Sequence, residues 1–464
     1  MAQLLKRMGL TLDLNKRDLF KIFLLSLAFF CVIGAYTILK ELKDILFTQF
    51  VGSGYMGDVK FISMFMLVPA TLLYAKLVDS MSRFKLLCVY SGLYGIVGLI
   101  IAYYLGDAQI GLPNAIASGD RWFGWFIYLF YEGAVPFVVS LFWSFSNSVT
   151  SPETAKKGYP LMIAASKLGG MFTAGLAWML LTPTGIIGNI GLTDVAIHQL
   201  LLGLASVMLC IAPVIVYYLL KLGNQENLHG YEAVYKVEKK EEADGTDQTG
   251  MFSGLMIMFK QPYILAIFAM IFFYELLNVV ISVQRLVILK SAAESFSGFS
   301  GAMFEQRLII HVIGFFVSFF GTRILLKVLG ERACLLLNPM FIGLLLVYFM
   351  VMRDAHAVLV VYTGLGVLNY AFASPLRESL YIPTVKDIKY KSKSWIDSFG
   401  MKISKSVSSL FIKSAKNVVP GTAMFNVVYI SFFSTVIALW ILVAWWLGRR
   451  YCKAIENNEV IGLQ

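Results

Sequence analysis

Apolar runs of about 20 residues recur along this chain with little space between them, and that length is what a helix needs to cross a bilayer. In hydrocarbon every backbone amide must be satisfied within its own segment, so runs of this kind read as membrane helices. Twelve are found, near 20–40, 58–78, 84–105, 122–146, 159–182, 198–221, 257–285, 304–326, 331–352, 356–375, 396–415 and 424–447. The expected fold is therefore an all-α integral membrane protein with twelve transmembrane helices. Charged residues make up 14% of the 464, against roughly 25% in a soluble domain. A soluble chain of this size could not enclose so much apolar surface. Lys6, Arg7, Lys16 and Arg17 precede the first run and no small-residue cleavage site follows it, so that run reads as a helix and not as a cleaved leader.

One connection is long. Residues 222–256 include YKVEKKEEADGTDQTG (235–250), polar and without an apolar period, which reads as a solvated linker with or without a short amphipathic helix. The expected organisation is an N-terminal six-helix bundle (1–221), a cytoplasmic linker (222–256) and a C-terminal six-helix bundle (257–464). A faint repeat agrees: LVDSMSRFKLL (77–87) follows the second run and LLKVLGERACL (325–335) follows the eighth. Two six-helix halves related about a membrane-normal axis resemble the plan of major-facilitator carriers, although their stricter Gly–Asp–Arg–Gly–Arg loop pattern is degenerate here.

Loop charges orient the spans. With twelve crossings, one side collects Lys6, Arg7, Lys16, Arg17 and Lys21, then Arg83, Lys85, Lys156 and Lys157, the linker lysines, Lys327 and Arg332, Lys386 to Lys393, and Arg449, Arg450 and Lys453. The other side is poorer, with Arg121 alone after the third run, no Lys or Arg between 183 and 197, and Arg353 after the ninth. The excess of Lys and Arg marks the cytoplasmic side, which places both termini there.

Charges inside the apolar runs cost on the order of 3 kcal/mol each and usually serve function. The first run ends in YTILKELKDILF (36–47), holding Lys40, Glu41, Lys43 and Asp44, with charges snorkelling from a helix end as the plain alternative. Glu132 lies in the fourth run, Lys167 in the fifth within MIAASKLGG, Glu275 in the seventh, with Arg285 towards its outer end. Arg377 and Glu378 close the tenth, and Lys402 and Lys405 fall in the eleventh. Cations outnumber acids, which suits a polyanionic substrate such as a phosphorylated metabolite. Ion pairs that only lock helices together are the bland reading of each residue.

The sequence lacks a GxxxxGK[ST] loop, an HExxH pair and any nucleophile–base set, so neither an ATP-driven motor nor an enzyme is expected. The five cysteines and four histidines are scattered, so no metal site, disulfide framework or cofactor is expected. The remaining classes are a secondary carrier and a membrane scaffold that has lost transport.

Three blocks carry a resemblance to a known family. YTILKELKDILF (36–47) is similar to YTILRxxKDxLxV. LFYEGAVPFVVSLFWSFSNSVTSPETAKKGYPL (129–161) is similar to a Glu, an FWxFxN and an EAKxFYPL in succession. SPLRESLYIPTVKDIKYKSKSWID (374–397) is similar to DPxKEMxYIPLDxxxKxKxKxxID. In this order they resemble the nucleotide transporter family, the ATP/ADP translocases of plastids and of obligate intracellular bacteria such as chlamydiae and rickettsiae. The resemblance implies a multi-pass protein of the bacterial inner membrane that moves nucleotides by alternating access, most often ATP against ADP, with other nucleotides, NAD or proton symport in some members. It implies essential charges at Lys43, Glu132 and Lys393 or a neighbour, with Arg377 where the family has Lys. It departs from the family in the seventh span, where Ile281 or Ser282 stands in place of an acid and Glu275 lies one to two turns earlier.

The expected substrate site is then Lys43, Glu132, Asn147, Lys167, Glu275, Arg377, Lys393, Lys402 and Lys405. Lys43, Lys167, Arg377 and Lys402 or Lys405 would neutralise phosphates, Glu132 would pair with a lysine in the empty carrier, and Asn147 would bond a base or ribose. In a proton-coupled alternative Glu275 and His311 would carry the proton. The partners expected are a nucleotide and the lipid bilayer, with no nucleic acid, in a monomer.

Overall fold

The computed structural model describes residues 15–150, 152–182, 191–222, 253–317, 322–381, 383–385, 388, 392, 396, 400–415, 422–457 and 459–462. These residues are almost wholly helical. In order they form α1 (Lys16–Phe50), a 3-10 turn (Ser53–Tyr55), α2 (Met56–Ser80), α3 (Arg83–Tyr104), α4 (Trp122–Val149), α5 (Pro152–Leu181) and α6 (Asp194–Leu222). Then come α7 (Ser253–Lys260), α8 (Pro262–Ala292), α9 (Phe296–Phe316), α10 (Thr322–Met352), α11 (Ala355–Val367), a π turn (Leu368–Ala373), α12 (Ser374–Leu380), α13 (Met401–Ser414) and α14 (Ala423–Glu456). Eight of these, α1, α3, α4, α5, α6, α8, α10 and α14, contain segments long and apolar enough to cross a membrane. Most of the polar stretch expected as a linker, 223–252, lies outside the described residues.

Local chemistry explains the starts and stops. Ser295, Asp354 and Thr422 cap α9, α11 and α14, each accepting a backbone N–H from three residues on, the bond that satisfies an orphan donor at a helix start. Gly330 has φ 74 inside α10 and separates two helical stretches, a conformation open to glycine at little cost. The turn expected between the eighth and ninth runs falls there.

The chain packs as two compact units. The first comprises Met1–Leu46, Leu67–Ile116 and Arg121–Gln248, the second Phe47–Met66, Ala117–Asp120 and Thr249–Gln464. The end of α1 and the first part of α2 therefore pack within the second unit, where Lys290 Nζ donates to the Thr48 carbonyl at 2.7 Å and Lys413 meets Asp58 at 2.9 Å.

In the first unit small residues let helices touch along their backbones. A methyl group on Gly169 of α5 would collide with the Phe30 carbonyl of α1. Gly169→Val should therefore wedge the two helices apart and lower the melting temperature in detergent, by the about 1–3 kcal/mol typical of overpacking. Gly203, with nothing within 4 Å of an added Cβ, is the control: Gly203→Ala should leave the melt unchanged or raise it.

In the first unit Arg121 staples the loop before α4, its guanidinium donating to the carbonyls of Ile110, Gly111, Asn114 and Ile116. In the second, Arg353 closes α10 by donating from Nε to the Met350 carbonyl at 2.6 Å, at φ 56.

The second unit has an apolar core in which Tyr263, Ile267, Leu380, Tyr381, Leu447 and Ile461 are buried together. The C-terminal segment closes it. Ile461 N donates to the Pro383 carbonyl at 2.7 Å, and Val385 N donates to the Ile461 carbonyl at 3.1 Å. Arg450 forks onto Glu459, one contact being 2.7 Å, and holds that carboxyl below the usual range. This clasp anchors Pro383 and Val385, which follow Arg377 in the chain.

Candidate functional site

The charged block of the first run does not end its helix. Between Ala35 and Val51 there is no Gly or Pro, and Leu, Glu and Lys are good helix formers. α1 runs on to Phe50 and stops before Gly52, at φ 107. The block is thus carried inside a packed helix: Glu41, Lys43 and Asp44 are all buried. Snorkelling from a helix end is not what these residues do.

α1 lies antiparallel to α4 and is tied to it along its length. Lys21 Nζ donates to the Val149 carbonyl at 3.2 Å, at the C-terminal end of α4 where cations are favoured. Phe29 stacks on Phe142 with ring centroids 4.6 Å apart. Fourteen residues on from Phe29 is Lys43, and fourteen back from Phe142 is Tyr128, a rise of about 21 Å on each helix. The Lys43 ammonium indeed lies 4.1 Å from the Tyr128 ring centroid. Glu132, one turn on from Tyr128 and so on the same face of α4, meets Lys43 Nζ at 2.9 Å. Lys43 also donates to Asp44 Oδ1 at 2.8 Å.

One buried ammonium is therefore held by two carboxylates and an aromatic face. A charge cannot stay buried without such compensation, and an ammonium on a long stem can change partners without leaving its pocket. The chemistry available is exchange of one anion for another: an incoming oxyanion can take Lys43 from Glu132, and Glu132 can take it back.

The other expected residues are placed as follows. Asn147 is exposed near the end of α4, and its Oδ1 accepts from the Tyr159 hydroxyl at 2.6 Å. Lys167 is half-buried on α5, two residues before Gly169. In the second unit Glu275 is half-buried on α8, 3.5 Å from Asn278 Nδ2. Lys402 and Lys405 are half-buried on α13, where the buried Ser408 donates from Oγ to the Leu276 carbonyl of α8, beside Glu275. Arg377 is half-buried on α12, directly after the π turn, a local widening often found at functional sites. Lys393 lies outside the described residues.

Sequence reasoning passed over Asp44 and Tyr128 as site residues, and Arg307 of α9 altogether. The signal for Tyr128 was its spacing of four from Glu132. Arg307 was hidden because GluGlnArg at 305–307 looked like the start of the eighth run, whereas α9 begins at Phe296 and buries Arg307.

Comparison with known proteins bears on this arrangement. A family profile described as TLC ATP/ADP transporter matches residues 6–451. ADP,ATP carrier protein 3 of Rickettsia prowazekii is 23% identical, over 95% of this chain and 96% of the carrier. ADP,ATP carrier protein 1 of Chlamydia trachomatis is 22% identical, over 96% and 91%. Among solved structures a D-xylose-proton symporter superposes with a TM-score of 0.64 at 14% identity, covering 92% of this chain and 97% of its own. At that identity the likeness shows the fold, which is all-helical and major-facilitator-like.

Proposed function

Because the chain belongs to the TLC ATP/ADP transporter family, we propose that it is a secondary carrier that exchanges ATP for ADP by alternating access. The observation that carries this reading is the Lys43 cluster: a buried ammonium 2.9 Å from Glu132 and 2.8 Å from Asp44. A polyphosphate recruits Lys43, Glu132 is released, and the pair re-forms when the substrate leaves. Lys167, Arg377, Lys393, Lys402 and Lys405 supply further positive charge, and Asn147 and Glu275 complete the set of substrate-facing groups.

We read the chain as twelve spans, with bundles 1–221 and 257–464 joined by 222–256, in a bacterial inner membrane with both termini cytoplasmic. Two arginines stand on the cation-poor side, and both are engaged by backbone carbonyls. They are there to close a loop and a helix end, which supports the charge rule that orients the rest.

Cells expressing the chain should take up labelled ATP and ADP, with GTP, UTP and NAD as competitors that report the base preference. The expected result is uptake of ATP and ADP that a protonophore leaves unchanged. Uptake that collapses with the protonophore would replace exchange by proton symport, and no uptake of any nucleotide would refute the assignment.

A further inference from the structure

One face of α14 is exposed along its length and changes chemistry from one end to the other. Of the eight helices that could cross a membrane, α14 is the least buried. Towards its C-terminal end the exposed residues recur every three or four positions: Leu439, Leu442, the pair Trp445 and Trp446, Arg449 and Lys453. Residues so spaced share one side of a helix. The opposite side is packed, with Trp440, Ala444, Leu447 and Tyr451 buried. Over a rise of about 21 Å the exposed side thus passes from aliphatic through aromatic to cationic.

Two features build the cationic end. The Arg449 guanidinium carbon lies 3.9 Å from the Trp445 ring centroid, one turn back, a contact that holds the cation beside the helix. Among the described residues no carboxylate pairs with Arg449, whereas its neighbour Arg450 is forked onto Glu459. The second feature is Gly448. A Cβ there would come within 3.1 Å of Arg332 Cγ and 3.4 Å of Arg332 Cα, so the exposed Arg332 of α10 is seated against α14 next to Arg449. Glu331 is half-buried and Glu456 ends the helix beyond Lys453, so the exposed cations at this end outnumber the acids.

Aliphatic, then tryptophan, then cation is also the order of hydrocarbon, interface and phosphate across one leaflet of a bilayer. Arginine forks match phosphate oxygens in pairs. We propose that Arg449 and Arg332 form a binding site for an acidic phospholipid. Its phosphate lies on the two arginines, its glycerol region against Trp445 and Trp446, and an acyl chain along Leu442 and Leu439. A zwitterionic lipid brings a cation of its own, which Arg332, Arg449 and Lys453 disfavour, so the site selects net negative charge. A lipid held this way touches both α10 and α14 and ties them together. The site concerns the membrane and not the cargo, and it stands whether or not the chain carries nucleotides.

The test is thermal unfolding of the purified full-length protein in neutral detergent, with phosphatidylglycerol or phosphatidylcholine of the same chain length added, alongside displacement of a fluorescent phosphatidylglycerol. On the wild type, phosphatidylglycerol should raise the melting temperature more than phosphatidylcholine does, and inorganic phosphate should not replace it. Arg449→Gln and Arg332→Gln should each weaken phosphatidylglycerol by about fivefold to tenfold and leave the response to phosphatidylcholine unchanged. Trp445→Leu keeps an apolar side chain but removes the ring under Arg449, and should give a smaller loss of the same pattern. All three residues are exposed, so the variants should fold. Arg17→Gln, an exposed cation at the start of α1, is the control and should keep the wild-type preference. Equal responses to the two lipids, a preference that survives the Arg332→Gln and Arg449→Gln double variant, or an equal loss in Arg17→Gln would overturn the site. So would inorganic phosphate acting as well as the lipid, or a cross-linked dimer that Leu442→Glu abolishes and lipid does not affect, which would give the face to a second copy of the chain.

Discussion

Replacing Lys43 by alanine should abolish nucleotide exchange, with a fall of at least about a hundredfold, the effect of losing a charge-assisted contact worth about 3 kcal/mol. In the proposed cycle Lys43 is the cation that a polyphosphate recruits in the first unit, and Glu132 and Asp44 both contact it. Removing one member of a buried ion pair commonly costs about 3–5 kcal/mol, so the variant should also melt lower in detergent. The two effects can be separated. Lys43→Arg keeps the charge, the contact with Tyr128 and at least one carboxylate bond, and should restore the melt while recovering exchange in part, because a planar fork does not change partners as a mobile ammonium does. If Lys43→Ala and wild type take up nucleotide at the same rate, Lys43 is a structural residue only.

Glu132→Gln should act in the opposite direction on binding and in the same direction on turnover. The amide keeps the shape and removes the charge that competes with phosphate for Lys43. The substrate no longer has to displace a carboxylate, so ADP should bind more tightly, by up to about tenfold if the contact is worth about 1.5 kcal/mol. Exchange should nevertheless slow by about tenfold or more, because in the proposed cycle Glu132 takes Lys43 back and so releases the product. Binding and exchange measured on one preparation check this. Weaker binding would mean that Glu132 holds the pocket's shape and does not compete with the ligand.

Much of the scaffold was legible in the sequence, for a simple physical reason. A bilayer forces each crossing into a run of about 20 apolar residues, and α3, α4 and α6 follow the expected runs to within a few residues. The errors lie where polar residues sit at depth. α1 was expected to stop near 40 and runs to Phe50, because Glu41, Lys43 and Asp44 are buried by partners that composition cannot name. α9 was expected from 304 and begins at Phe296, since its first turns, FSGFSGA, are small and only weakly apolar. The tenth run was expected as one helix to 375, yet a π turn interrupts it at Leu368–Ala373, and nothing in LNYAFA announces one.

The candidate site was legible in its residue types and less so in its groupings. Lys43 and Glu132 stood out as charges in apolar runs, and their spacing from Phe29 and Phe142 fits an antiparallel pair once α1 and α4 are known to touch. Which cation faces which acid is tertiary information. So is the seating of Lys43 on Tyr128, which needs the ring position to be seen.

The central claim is exchange of adenine nucleotides, and one measurement tests it most directly. Proteoliposomes containing the purified chain are loaded with ADP or left empty, and uptake of labelled ATP is followed with and without a protonophore. The account predicts rapid uptake into ADP-loaded vesicles, near-background uptake into empty ones, and no effect of the protonophore. Equal uptake into loaded and empty vesicles, or uptake that needs a proton gradient, would contradict it.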